Sequence, residues 1–67
     1  MFEVGALLKG KENNGYASAN EDMKKAEVIY ARGYPVTMGI RILEHANSSC
    51  IGKWMEVENR ESYFELL

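Results

Sequence analysis

Glycine and asparagine residues interrupt this chain at short intervals, and this spacing limits the elements that it can form. Apolar and polar residues alternate in several of the segments between them. Alternation with a period of two is typical of β-strands that bury one face. Short segments bounded by turn-forming residues indicate several short strands rather than helices alternating with strands. The sequence therefore predicts a mainly β fold.

Five segments fit this pattern, and the third is the clearest. Its apolar residues share one face at every second position: Val36, Met38, Ile40 and Ile42. In the last segment, Phe64 and Leu66 are expected to point inward. The five predicted strands are Phe2–Lys9, Ala26–Ala31, Val36–Leu43, Ile51–Val57 and Tyr63–Leu67.

A long polar loop, Gly10–Lys24, separates the first two predicted strands. Within it, Asn14 and Gly15 form a strong turn signal because both residue types tolerate a positive φ. Loops of this length are uncommon in small domains and are often functional. A tight turn with 3-10 character is predicted over Glu58–Ser62, before the last strand.

The segment Asn20–Tyr30 also fits a helix. Asn20 could cap that helix at its start. Residues at spacings of three and four would then share one helical face: Met23, Ala26, Glu27 and Tyr30. Because Val28 and Ile29 are β-branched, we favour a strand here and keep the helix as the alternative.

The length and composition restrict the function. The chain has 67 residues, is 46% hydrophobic and 27% charged, and carries a formal net charge of −2. Residues 1–67 suit one folded domain, too small to bury a large core and also form a deep catalytic pocket. Because Cys50 has no partner for an internal disulfide, a reducing, cytoplasmic location is expected, with self-association as the means of stabilisation. No uncharged run approaches the ~20 apolar residues of a membrane span, so membrane insertion is not expected.

The order of these elements resembles that of the SH3-like small β-barrels. The segments that carry the resemblance are Phe2–Gly5, Gly10–Lys24 and Asn59–Leu67. It implies a five-stranded barrel with a long first loop and a 3-10 turn before the last strand. The tryptophan pair and the proline–tyrosine pair of peptide-binding SH3 domains have no counterpart here, so polyproline binding is not expected.

Two segments also resemble short uncharacterised proteins of phages and prophages of Gram-positive bacteria. Lys9–Tyr16 reads Lys-Gly-Lys-Glu-Asn-Asn-Gly-Tyr, and Tyr63–Leu66 reads Tyr-Phe-Glu-Leu. The resemblance implies a phage or mobile-element origin. Since such small proteins often bind and inhibit a host or anti-phage defence component, non-enzymatic protein binding is the expected function.

Trp54 and Met55 point to opposite faces of the fourth predicted strand. A barrel this small cannot bury both faces, so one of them is expected to face a partner. If Met55 fills the core, Trp54 is an exposed interface anchor; in the reverse register, Trp54 is in the core. The predicted protein-binding residues are aromatic: Trp54, Tyr34, Tyr16 and Tyr30.

Nucleic-acid binding is the second function that the sequence suggests. Lysines at both ends of the long loop could converge on a phosphate-binding surface: Lys9, Lys11, Lys24 and Lys25. Tyr16 and Tyr34 could add base stacking. The alternative is that these lysines are solvated and cover apolar surface with their stems.

Enzyme sites are weakly represented in the sequence. Glu56 and Glu58 project from one strand face and could hold a divalent cation in a nuclease, although a solvated strand edge is favoured. His45 lies with Cys50 near a polar loop that offers no rigid setting for catalysis. One cysteine and one histidine are too few for a zinc site. No catalytic residue, metal or cofactor is predicted.

Overall fold

A computed structural model describes residues 1–12 and 14–67, and this part of the chain forms one open antiparallel sheet. Its order is β4-β3-β2-β1-β5, and no pairing joins β4 to β5 in the described residues. The predicted mainly β fold with five strands is confirmed. The bounds are β1 Leu7–Gly10, β2 Met23–Gly33, β3 Val36–His45, β4 Trp54–Glu58 and β5 Phe64–Leu66. Asn13, part of the predicted long loop and its motif, lies outside the described residues.

The first strand is shorter than predicted because a turn interrupts it. Gly5 has a φ of 91°, and the Ala6 N–H donates to the Glu3 carbonyl at 3.0 Å. A positive φ suits glycine, since a Cβ would be strained there. The turn leaves Val4 exposed while Phe2 is buried. The predicted strand Phe2–Lys9 is therefore a turn followed by β1.

β2 and β3 form a hairpin that is longer than predicted. Its pairing runs from Met23–His45 to Gly33–Val36. The helical alternative for Asn20–Tyr30 is wrong, because the chain is extended from Met23 onward. The register shifts between Val28 and Tyr30, and such bulges redirect the side chains that follow.

The core covers one face of the sheet. Met38, Ile40 and Ile42 are buried as predicted, but Val36 at the hairpin end is 40% exposed. Leu66, predicted to point inward, is 64% exposed near the end of the edge strand β5, whereas Phe64 on the same strand is buried as predicted. The buried apolar residues are Phe2, Leu8, Ala19, Met23, Ala26, Val28, Met38, Ile40, Ile42, Val57 and Phe64.

The 3-10 helix lies between β3 and β4, over Ser48–Cys50, not before the last strand. Asn47 caps it by accepting a hydrogen bond from the Ser49 N–H at 3.0 Å. A turn at Gly52, with a φ of 87°, delays the start of β4 to Trp54. Before β5 there is only a turn, in which the Tyr63 N–H donates to the Arg60 carbonyl at 3.1 Å.

The loop between β1 and β2 folds back onto the body of the protein. Asn14 is buried; its side chain accepts from the Tyr16 N–H at 2.8 Å and donates to the Ala19 carbonyl. Asn20 does not cap a helix but accepts from the Asp22 N–H at 2.9 Å in a local turn. The loop therefore has a defined shape of its own.

Candidate protein-binding surface

Trp54 lies on the outer face of β4, and Met55 lies on the inner face. The pairing of Trp54 with Arg41 and of Met55 with Ile40 sets these orientations. Trp54 is 59% exposed, whereas Met55 packs half-buried against the core. The structure thus places the indole, rather than the thioether, toward solvent.

Tyr30 lies beside Trp54 on the same outer face. The two ring centroids are 6.5 Å apart in an edge-to-face arrangement. The Tyr30 hydroxyl donates to Glu56 Oε2 at 2.6 Å, and the Arg32 guanidinium lies 5.4 Å from the Tyr30 ring centroid. The hydrogen bond to Glu56 raises the pKa of the Tyr30 hydroxyl, because it stabilises the protonated form. We call Tyr30, Arg32, Trp54 and Glu56 the aromatic patch.

Gly39 allows the Tyr30 ring to lie on the sheet. Gly39 is paired with Tyr30 on β2 and with Glu56 on β4, in the middle of the outer face. A Cβ at this position would overlap three ring carbons of Tyr30. The aromatic ring therefore covers the glycine, a packing that compensates for the side chain glycine lacks.

Gly39→Ala should displace the Tyr30 ring without unfolding the protein. The clash involves the end of a side chain that can rotate away, so stability should fall only slightly. The contact with Trp54 would be lost, and the emission of this single tryptophan should change. Gly33→Ala is the matched control, because a Cβ there meets nothing within 4 Å. Unchanged emission in Gly39→Ala would contradict the role assigned to Gly39.

Tyr34 and Tyr16, the other two aromatic residues of the predicted site, lie apart from this patch. Tyr34 is in the turn between β2 and β3 and is 95% exposed. Tyr16 is half-buried: its ring contacts Tyr63 and Phe64 at centroid distances of 6.1 and 6.5 Å. The structure therefore brings together two of the four predicted aromatic residues.

The Tyr16 hydroxyl connects the long loop to the outer edge of β4. It accepts a hydrogen bond from the Glu58 N–H at 2.7 Å. Edge strands expose unpaired backbone groups that invite pairing with other chains. Tyr16 thus covers one such group and holds the loop against the sheet.

Tyr16→Phe should lower the free energy of unfolding by about 1–2 kcal/mol, because the Glu58 N–H would lose its partner in a partly buried site. Tyr63→Phe is the control, since the Tyr63 hydroxyl makes no hydrogen bond to the described residues. Urea denaturation of both variants measures the difference. Equal stability of the two variants would contradict the bridging role of Tyr16.

The four lysines of the predicted nucleic-acid surface are divided by the fold. Lys9, Lys11 and Lys24 line one cleft, whereas Lys25 pairs with Glu44 at 3.8 Å. Lys9 is itself paired with a carboxylate of the cleft, at 3.3 Å. Three glutamates line the same cleft, so its ammonium groups face an equal number of carboxylates: Glu12, Glu21 and Glu65.

Glu56 and Glu58 each have a partner of their own. Glu56 accepts from Tyr30, and Glu58 pairs with Arg60 at 2.7 Å. Across residues 1–12 and 14–67, no group of three or more His, Cys, Asp or Glu side chains is arranged to hold a metal ion. Nor does this part of the chain contain a helix with the length and apolar character of a membrane span.

His45 ties the long loop to the end of β3. Its Nδ1 accepts from the Asn47 N–H at 2.9 Å, so Nε2 carries the proton and donates to the Ser18 carbonyl at 2.9 Å. Both ring nitrogens therefore bond to backbone groups, and neither bonds to Cys50. Cys50 packs half-buried against the core.

The chain matches no protein-family model, no curated protein and no solved structure. Function must then be argued from the surface itself. Sequence reasoning identified Trp54 and Tyr30 but missed Arg32, Gly39 and the role of Glu56. Strand pairing brings Arg32 and Glu56 into the patch and Gly39 under the Tyr30 ring, and a single segment of sequence carries no signal for such pairing.

Proposed function

We propose that this protein is a non-enzymatic binding module that docks onto another protein through the aromatic patch. The observation that carries the proposal is an exposed tryptophan packed against Tyr30, which Arg32 and Glu56 hold in place. Trp, Tyr and Arg dominate the binding energy of protein interfaces. Side chains that are already held lose less conformational freedom on binding, which favours affinity.

The fold that we propose for this module is an SH3-like barrel that is open between its edge strands. Support comes from the strand order, from the long first loop and from β2, which pairs with β1 as well as β3. Tyr16 adds a bridge from the long loop to β4. A bent sheet of this kind leaves the outer face of β2, β3 and β4 free for a partner.

Self-association along β4 is the second part of the proposal. The Ile42 N–H bonds to the Lys53 carbonyl, and the Asn59 N–H bonds to the Val36 carbonyl. By alternation, the N–H and C=O groups of Trp54 and Glu56 point away from β3. Two-fold antiparallel pairing centred on Met55 would set Trp54 opposite Glu56 of a second copy. No like charges would then face each other across the pair.

Trp54→Ala should weaken partner capture or self-association by at least about tenfold, as expected for an interface anchor. Light scattering measures the oligomer, and a tagged protein captures partners from a lysate. Ile51→Ala is the matched control, because Ile51 is an exposed apolar residue outside the patch. If both activities survive in Trp54→Ala, the aromatic patch is not the interface.

The phage or mobile-element origin and the inhibition of a host or anti-phage defence component remain predictions from the sequence resemblance. Capture of a defence component by the wild type and not by Trp54→Ala would support the inhibitor. Capture of virion proteins alone would indicate a structural component. A cytoplasmic location is likewise a prediction, to be checked by fractionation.

Nucleic-acid binding remains the alternative prediction for the lysines at the long loop. It requires binding of single-stranded DNA or RNA that weakens steeply as salt increases. Fluorescence anisotropy at low salt tests this directly. No change in anisotropy would remove the alternative. A nuclease would instead cleave the nucleic acid only with Mg²⁺, and this cleavage should disappear in Glu56→Gln or Glu58→Gln.

A further inference from the structure

We propose that β5 binds an extended peptide of a partner protein as an added strand, and that the peptide alternates basic and apolar residues. This site lies on the opposite edge of the sheet from β4. It is therefore separate from the aromatic patch and does not depend on that patch binding a protein.

The free edge of β5 carries backbone groups without partners. The Leu67 N–H donates to the Leu7 carbonyl at 3.0 Å, and the Lys11 N–H donates to the Tyr63 carbonyl at 3.1 Å. In an antiparallel pair, alternate residues bond to the neighbour. Phe64 and Leu66 thus direct their N–H and C=O groups outward, where no described residue bonds to them. Such an edge is a template for strand addition.

A groove of about 410 Å³ lies beside this edge, between β5 and the N-terminal residues Met1, Phe2 and Glu3. Phe2 and Phe64 form its apolar floor, with ring centroids 6.5 Å apart. Leu66 pairs with the fully buried Leu8 and so shares its face, yet it stays largely exposed. An apolar side chain from an added strand would cover the exposed side chain of Leu66, which favours binding.

Three glutamates border the groove, and they favour basic residues in the occupant. Glu61 pairs with the Met1 ammonium at 2.9 Å, and Glu65 pairs with Lys9 at 3.3 Å. Glu3 has no ion-pair partner among the described residues. Side chains of a strand alternate between faces, so every second side chain of the occupant would lie beside Glu65, on the side away from Lys9. The expected pattern is apolar toward the groove and basic toward Glu65.

A second copy of this chain fits the same edge poorly. Two-fold antiparallel pairing through the free groups of Phe64 and Leu66 would place Glu65 directly opposite Glu65 of the other copy. Like charges in this arrangement destabilise a strand pair. In a basic peptide, a lysine opposite Glu65 would place the carboxylate between two ammonium groups, its own and that of Lys9, which is why we assign the edge to a partner.

The test is an NMR titration of the full chain with the capped peptide Lys-Val-Lys-Val-Lys. The amide signals of Phe64 and Leu66 should shift, and the acidic peptide Glu-Val-Glu-Val-Glu should not bind. Methylation of the peptide's valine backbone nitrogens should abolish binding, because the added strand would lose its donors. Equal binding of both peptides, or no shift at Phe64 and Leu66, overturns the proposal.

Variants separate this site from the aromatic patch. Glu65→Lys should weaken binding of the basic peptide at least threefold, and Glu44→Lys, a charge reversal on another strand, should leave it unchanged. Trp54→Ala should also leave peptide binding unchanged, whatever it does to partner capture. Loss of peptide binding in Trp54→Ala, or an equal loss in Glu44→Lys, would refute the β5 site.

Discussion

Gly10→Ala should lower the free energy of unfolding by about 3 kcal/mol or more, at the upper end of the usual cost of overpacking. Gly10 is buried at the end of β1, where the long loop crosses it. A Cβ there would overlap the carbonyl oxygens of Ala19 and Asn20. Hydrogen bonds hold both carbonyls, from the Asn14 side chain and from the Met23 N–H. The loop can yield only by giving up these bonds.

Urea denaturation followed by circular dichroism measures this loss. Because the core of so small a domain supplies only ~3–5 kcal/mol, much of the variant should be unfolded without denaturant. Gly33→Ala makes the same chemical change in open space and should be neutral or slightly stabilising. Similar stability of the two variants would mean that the loop does not press on Gly10.

Asn59→Ala should lower the free energy of unfolding by about 3 kcal/mol, because it leaves two buried backbone groups without partners. Asn59 is only 3% exposed. Its Nδ2 donates to the Phe2 carbonyl at 2.9 Å, and its Oδ1 accepts from the Phe2 N–H at 2.8 Å. The Phe2 ring packs edge-to-face on Phe64, and its position depends on these two hydrogen bonds.

Asn20→Ala is the control for this second prediction. Asn20 also makes two side-chain bonds to the backbone, to the Ala17 carbonyl and from the Asp22 N–H, but both are exposed to water. Water can replace the lost hydrogen bonds, so the free energy of unfolding should fall by only about 0.5–1 kcal/mol. Thermal or urea denaturation compares the variants. If Asn59→Ala lowers the free energy of unfolding no more than Asn20→Ala does, the position of Phe2 does not depend on its hydrogen bonds to Asn59.

The sequence alone predicted the mainly β fold correctly, and it located the second and third strands within the longer β2 and β3. Successive side chains of a strand point to opposite faces, so the buried face of Met38, Ile40 and Ile42 could be identified from the alternation. It also located the long loop between the first two strands. The alternation failed at Phe2–Lys9 because Gly5 turns the chain without interrupting the apolar pattern.

The aromatic patch shows a different limit. Trp54 and Tyr30 were both identified as candidate contacts, but their adjacency depends on the bulge between Val28 and Tyr30 and on the pairing of β2, β3 and β4. Gly39 contributes by having no side chain where the Tyr30 ring lies. These relations join residues that are far apart in the chain.

The choice between Trp54 and Met55, like the exposure of Leu66, was made only by the tertiary structure. The sequence alternation divides a strand into two faces, because the pleated backbone directs successive side chains to opposite sides. Which face is covered depends on the neighbours that the fold brings from elsewhere: the core for Met55, solvent for Trp54, and an open sheet edge for Leu66. The sequence thus determined the strand class and the two faces of the central strands, and the tertiary structure decided which surfaces remain available for binding.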